Sequence, residues 1–447
     1  EYILFLSTGG DFLLPVNPGG HAAYQNFVAT NLRKYYPNPD AFSPATWDII
    51  ERFWNLDLSY TDDLLRSKYS VFGPTPRTPS CMQRSYLLSI DFKIHSLTDW
   101  AAQLKINPLY AILSGFEFGD TPGVGTFYDF LSRLWDSEDS NLSSHLRPAK
   151  EKRIKKPTQK GAKAESVEKV SVDQLLGQLE AASFVLDDQP YSSLFKIYHR
   201  EFLSQSITKG LIDPSVLSLA DDGTPVVTSA RERKHPASKH DSLGFLETWF
   251  RMKAFLPDLH VSKWLLDSAQ DAMPYYIYCR KNHIQPFIDL NVKRGIKVKY
   301  KNDFTIGEDG VPVCKAGRKM RHDGSEPSKG RLKFRCPLAS RKYGCSCTHP
   351  CSDSKYGRTV HLAMKDNPRL INFPPRDTKE WKKEFNARTS AERSNKREKI
   401  GFQLESGRHR STKMWYCRLY HIMMLQHLDA WDLPFESPLR KLILEVA

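Results

Sequence analysis

The sequence predicts an α/β chain, α+β overall: a core of alternating strands and helices carrying a Cys-rich insertion and preceded by a helical N-terminal domain. Three observations predict it. Between Met82 and Leu134, short stretches of helical periodicity follow residues that cap helices. From Val216 onward, brief apolar runs that end in Asp alternate with helical stretches, the pattern of strands joined by crossover helices. Five of the eight cysteines, Cys314, Cys336, Cys345, Cys347 and Cys351, crowd one segment that interrupts this alternation.

Composition narrows the function classes. Hydrophobic content of 40% and aromatic content of 12% are those of a folded chain, and 447 residues allow two or three cores. Lys and Arg number 65 against 51 Asp and Glu, a net charge of +14. Such an excess points to a polyanionic partner, nucleic acid being the usual one. No apolar run approaches the eighteen or so residues of a membrane helix. The opening EYILFLSTGGDFLLPV lacks a basic n-region and is broken by Gly9, Gly10 and Asp11, so it does not read as a signal peptide. A cytoplasmic, nucleoid-associated protein with no membrane partner is expected. The chain begins without Met, so its start is expected to lie upstream.

Residues 1–146 are expected to form a helical N-terminal domain. Pro-rich breaks surround a helix from Thr46 to Leu56, on which Trp47, Ile50 and Phe53 share a face. A helix over 82–91 follows. Ser96-Leu97-Thr98-Asp99 caps the next one, with Trp100, Ala101 and Leu104 inward, and Asn107-Pro108 starts a third. Thr126-Phe127-Tyr128-Asp129 reads as another capping box, with Phe127, Phe130, Leu131 and Leu134 as its stripe. These elements fit either a helix-turn-helix-like DNA-binding unit or a plain bundle. Residues 147–171 are a Lys-rich linker, able to lie along DNA phosphates or to serve only as a tether. Residues 172–215 are a helical connection.

The core is expected over 216–432, with a tail at 433–447. Val216–Ala220 is a strand ending in Asp221-Asp222-Gly223-Thr224, with PVVTS returning across that turn. A helix spans Leu243 to Phe255, and Val261 to Leu266 is a second strand, ending in Asp267. A helix over Met273–Lys281 leads to a strand over Gln285–Leu290. The Cys-rich insertion covers about 311–361, and Thr359–Met364 is a further strand. The apolar helix Met414–Trp431 is expected to close the chain against this core.

The chemistry centres on Phe385 to Lys399, FNARTSAERSNKREK. Read as one helix, it sets Arg388, Glu392 and Lys399 close to one face at i, i+4 and i+11. Alone, this is equally the pattern of a solvated charged helix. Asp222 and Asp267 change its meaning, because they add two carboxylates at the ends of predicted strands, where α/β ligands gather. Three carboxylates suit Mg²⁺ or Mn²⁺. Two such ions can drive phosphoryl transfer. Asp221 competes for the first position, and Asp222 is preferred because it directly precedes Gly223. Asp289 follows a strand but reads as structural, and His235 and His240 as solvated or DNA-facing.

The pattern Phe385-x2-Arg388-x3-Glu392-x6-Lys399 resembles the Y-x2-R-x3-E-x6-K signature of DDE transposases from bacterial insertion sequences. Asp222-Gly223-Thr224 is similar to the turn carrying their first aspartate, and Asp267 in LLDSAQD to their second. The stretch around LSGFEFGDTPGVGTFYDFLSRLW resembles the helical domain preceding such cores. Phe385 departs from the family by lacking the Tyr hydroxyl. The resemblance implies a ribonuclease-H-like, mixed-sheet core that cuts the phosphodiester at transposon ends and joins the freed 3′-OH to target DNA. It implies two Mg²⁺ (or Mn²⁺) ions held by Asp222, Asp267 and Glu392. Arg388 and Lys399, with Lys396 and Phe385, would contact the DNA. The expected partners are terminal inverted repeats and target DNA, bound by a homodimer. Two alternatives are a catalytically silent, transposase-derived DNA-binding protein and a ribonuclease-H-like nuclease of recombination or repair.

The cysteine cluster is separate. Thiolates and imidazoles suit tetrahedral Zn²⁺, and Cys336, Cys345, Cys347, Cys351, Cys314 and His349 exceed the four ligands needed. Free thiols in a loop are the alternative, since C-x-C-x3-C is not a standard zinc spacing.

Overall fold

The computed structural model describes residues 20–38, 42–70, 72, 74–138, 171–222, 241–291, 298–300, 304–307, 309–340, 342–348, 350–407, 409, 411–431 and 438–444. Gly223, Thr224, the PVVTS segment, His235, His240, His349 and the linker at 147–170 lie outside them.

The first part of the chain is helical: α1 (Gly20–Tyr35), α2 (Pro44–Trp54), α3 (Ser59–Leu65), α4 (Pro79–Asp91), α5 (Leu97–Ile106), α6 (Pro108–Ser114) and α7 (Val124–Arg133). Local chemistry sets several of their starts. Ser96 Oγ accepts from Asp99 N at the head of α5, Asn107 Oδ1 accepts from Leu109 N at the head of α6, and Pro44 and Pro108 occupy first turns. Thr126 does not cap α7: the helix begins at Val124 after Gly123, within its first turn of the expected point. The stripe holds all the same, with Phe127, Phe130, Leu131 and Leu134 buried.

These helices share one core, in which Val28, Leu32, Phe53, Leu87, Trp100 and Phe130 are buried. Each such side chain contributes roughly 1.5–3 kcal/mol. Helix α8 (Val172–Ala181) instead packs under the sheet described below. A second helix, α9, runs through Ser192–Ile197, a π turn at Tyr198–Leu203 and Ser204–Thr208, and joins the helical core through Leu194, Ile197 and Phe202.

A parallel three-stranded sheet follows, in the order β1 (Leu217–Ala220), β2 (Val261–Leu266), β3 (Gln285–Ile288). Helices α10 (Asp241–Phe255) and α11 (Met273–Lys281) lie between successive strands, as the sequence predicts. The period of two divides β2 between two layers. Trp264 and Leu266 pack with Phe245, Trp249, Tyr275 and Tyr278 on one side. Leu265 turns to the other, with Phe287, Trp381, Ala220 and Phe385.

The insertion is antiparallel: β4 (Val298–Tyr300), β5 (Phe304–Ile306) and β6 (Pro312–Cys314) form one sheet, and β7 (Arg321–Glu326), β8 (Arg331–Arg335) and β11 (Thr359–Ala363) another, in the order β11-β8-β7. Two-residue strands β9 (Ala339–Ser340) and β10 (Gly344–Cys345) pair beside them. Ile306, Val311, Leu332, Phe334 and Leu362 form its core.

Helices α12 (Lys379–Asn386) and α13 (Thr389–Lys396) come next, then α14 (Thr412–Ala430) and α15 (Pro438–Leu444). Contrary to expectation, α14 closes the chain against the helical core: Cys417, Ile422, Met424, Leu425 and Leu428 are buried among the N-terminal helices. Its buried polar groups find partners there too. Arg418 donates to the carbonyls of Leu404, Phe402 and Gln403, and His421 Nε2 lies 3.0 Å from Gln83 Oε1. A helix apolar on most of its circumference needs a surrounding bundle, which the small sheet does not offer. Among the described residues no helix is long and apolar enough to cross a membrane.

Candidate active site

The three parallel strands end together, and each end carries an acid: Asp221 and Asp222 after β1, Asp267 after β2, Asp289 after β3. Ala220 is paired with Leu265 at the end of the ladder, and Asp222 and Asp267 each follow that pair by two residues. Adjacent strands lie about 4.8 Å apart. Backbone bonds carry the alignment past the strands, since Asp221 N donates to Leu265 O and Asp289 N to Leu266 O.

The loop after β2 is built by its own polar side chains. Asp267 Oδ1 accepts from Ala269 N at 2.6 Å, and Gln270 Nε2 donates to Asp221 Oδ2 at 2.8 Å, tying the two strand ends together. Beneath lies a buried network. Asp271, fully buried, receives Arg369 at three contacts of 2.6–3.0 Å, the Tyr276 hydroxyl at 2.9 Å and Asn291 N at 2.8 Å. Arg376 adds bonds to Ile288 O and Tyr276 Oη. This network pins the exit of the insertion to the strand ends. Sequence spacing could not reveal it, because Asp271 and Arg369 are 98 residues apart.

The stretch expected as one helix from Phe385 to Lys399 is three pieces. Helix α12 ends at Asn386, and the bond from Arg388 N to Phe385 O at 2.9 Å marks a tight turn. Helix α13 follows, and a π turn at Arg397–Gly401 ends it. The i, i+4 relation nonetheless survives where it matters. Arg388 Nη2 donates to Glu392 Oε1 at 2.5 Å, and its Nη1 lies 3.5 Å from Asp222 Oδ1. Asn395, one turn beyond Glu392, donates to Asp222 Oδ2 at 3.0 Å and to Asp222 O at 3.2 Å.

Arg388 therefore brings Glu392 and Asp222 to one guanidinium. Asn395 was legible only as a position on the Arg388–Glu392 face, at i+7 from Arg388, and its residue type gave no sign of this role.

The remaining predicted residues are placed elsewhere. Lys399 lies 3.5 Å from Glu405, because the π turn rotates it off the Arg388–Glu392 face. Lys396 is exposed to solvent. Phe385 stacks on Trp381 with ring centroids 4.7 Å apart and packs against the Leu265 face of the sheet. Its ring thus helps to seat α12, a task that needs no hydroxyl.

Helix α13 also reaches the helical core. Glu398 Oε1 accepts from Gln426 Nε2 and Ser394 Oγ, each at 3.3 Å, and burial pushes its carboxyl above the ordinary range. Arg397 pairs with Asp429, which also binds Arg52. The segment carrying Glu392 therefore bridges the helical core and the sheet.

Among the described residues no three His, Cys, Asp or Glu side chains are grouped as a metal site. The donor chemistry at the strand ends is nevertheless that of hard-cation sites: carboxylates on adjacent strands, with a cationic guanidinium standing between Asp222 and Glu392 where positive charge is needed. Compared with protein-family models, curated proteins and solved structures, the chain matches none.

Proposed function

We propose that this chain is a metal-dependent DNA strand transferase of the DDE transposase type, with a ribonuclease-H-like core. The observation that carries the reading is the meeting of three separate segments at one end of a parallel sheet. Asp222 and Asp267 follow the ends of neighbouring parallel strands, and α13 brings Glu392 toward Asp222 through Arg388 and Asn395.

In this reading Asp222, Asp267 and Glu392 hold Mg²⁺ or Mn²⁺. When bound, the ions activate the attacking oxygen and stabilise the leaving one. Water attacks the phosphodiester at the transposon end and the 3′-oxygen leaves as a hydroxyl. That hydroxyl then attacks a target phosphodiester, making one such bond and breaking another. Arg388 would release Asp222 and Glu392 to the metal and take the DNA phosphate in their place, so its present ion pairs keep two acids oriented before DNA arrives. Exposed Lys396 adds a phosphate contact, and the +14 charge draws the polyanion to the protein.

The test is strand transfer on inverted-repeat DNA taken from the flanks of the coding region. The parent protein should join ends in Mg²⁺, and Asp222→Ala and Glu392→Gln should each abolish joining while retaining DNA binding. Binding without cutting or joining by the parent protein would overturn the enzyme reading in favour of a silent DNA-binding relative. Cleavage independent of the terminal sequence would favour a repair nuclease.

A further inference from the structure

We infer that the insertion carries a structural zinc site with one specific ligand set, Cys314, Cys336, Cys347 and Cys351, independent of the proposed active site. Three separate segments, after β6, after β8 and after β10, bring these thiols to the wall of one cavity of about 20 Å³, shared with Lys315, Arg318 and Leu338. That is close to the room one water needs, and so suits one ion. The sulfurs are not drawn together as a closed ligand group. Zinc, with Zn–S bonds of about 2.3 Å, would close the cavity around itself.

Each loop is shaped to present its cysteine. Cys314 ends β6 and starts a tight turn in which Cys314 N donates to Arg318 O at 3.0 Å and Gly317, at φ +73°, donates to Cys314 O. Cys336 follows β8, and its N–H donates to Arg358 O at 2.9 Å, holding the head of β11 beside it. At Gly357, also of positive φ, a Cβ would lie 2.5 Å from Ala339 Cβ and 2.9 Å from Cys336 Cβ, so only glycine lets these strands close on the thiol. Cys347 lies two residues beyond β10, anchored by Ser346 N to Leu338 O at 3.1 Å, and Cys351 enters from the exposed loop.

Two further observations call for a metal. Between Ala339 and Val360 no apolar side chain is buried among the described residues, so this stretch has no hydrophobic core of its own. A small β unit of that kind gains most from a metal staple. Four thiolates around Zn²⁺ carry a net charge of about −2, and Lys315 and Arg318 on the same wall offset it. Among the described residues these four thiols supply the four ligands that tetrahedral zinc needs.

Metal analysis of the purified full chain tests this, followed by Zn²⁺ and Co²⁺ titration of protein stripped with chelator under reducing conditions. One zinc per chain is expected, with intense thiolate-to-cobalt absorption of a four-sulfur site. Cys351→Ser, an exposed position that does not threaten the fold, and Cys347→Ser should each weaken zinc binding by at least about 100-fold. The distant Cys279→Ser should leave it unchanged. Substoichiometric zinc in the parent protein, or zinc held as tightly by Cys351→Ser and Cys347→Ser, would overturn the assignment. Neither result bears on strand transfer, so this site and the proposed activity fail separately.

Discussion

Asp271→Asn tests whether the buried pair beneath the strand ends holds the site together. The substitution keeps an oxygen to accept from Tyr276 or Asn291 but removes the charge facing Arg369, whose side chain is only 12% exposed. Neutralising one partner of a buried pair leaves the other charge uncompensated, at about 3–5 kcal/mol. Domains are typically stable by about 5–15 kcal/mol, so the α/β core should survive but become marginal. With a urea dependence of about 1–3 kcal/mol per molar, the midpoint should fall by about 1–5 M. The transition can be followed by the fluorescence of Trp249 and Trp264, both buried in that core. Arg369→Met alone should cost a similar amount, and the double variant should recover about 1–3 kcal/mol of the summed loss, because neither charge is then stranded. A single-variant loss below about 1 kcal/mol, or strictly additive losses, would refute the account of this network as the support of the site.

The remaining predictions concern pH, the site and DNA. Burial pushes the Glu201 carboxyl up to about 8, against its hydrogen bonds from Thr61 N and Oγ1. The folded state then binds more protons than the unfolded one between pH 4.5 and about 8, so stability falls as pH rises through that window. Glu201→Gln should flatten that fall, measured as thermal midpoints at pH 6 and pH 9. A parent and variant with parallel pH profiles would contradict it. His421 has the opposite sign: burial holds it down to about 4, so its contribution is lost as pH falls from 6.5 toward 4. His421→Gln should reduce the fall in thermal midpoint between about pH 7 and about pH 4. Asn395→Ala removes the bond to Asp222 and should cost about 1 kcal/mol in stability, with a larger loss in strand transfer than in DNA binding; equal losses in both would count against a positioning role. Lys396→Gln should lower the slope of log binding constant against log salt by about 1 and weaken all DNA sequences alike, and an unchanged slope would remove Lys396 from the interface.

Much of the fold was legible in the sequence because local chemistry dictates it. The expected strand Val261–Leu266 is observed, with Trp264, Leu265 and Leu266 buried, and the expected helix Met273–Lys281 is observed with those same ends. Ser96 and Asn107 announce the helices they cap. The Arg388–Glu392 relation was visible for the same reason, since i, i+4 partners meet within one helix. Thr126 misled because a capping pattern fits any phase of an amphipathic run, and packing of Phe127 and Phe130 decided the start of α7.

The sequence by itself determined the two classes of local structure, the acids at the strand ends and the clustering of cysteines, each of which depends on neighbours a few residues apart. Tertiary structure alone decided that α14 belongs to the helical core, that Asp271 meets Arg369 across the insertion, and that thiols from three segments share a cavity. Those outcomes depend on contacts between segments tens to hundreds of residues apart, where partner choice is set by shape and burial and leaves no spacing to read. The position of α13 shows both at once. Its face was written in the sequence, while the acid it faces, Asp222, was chosen by the sheet.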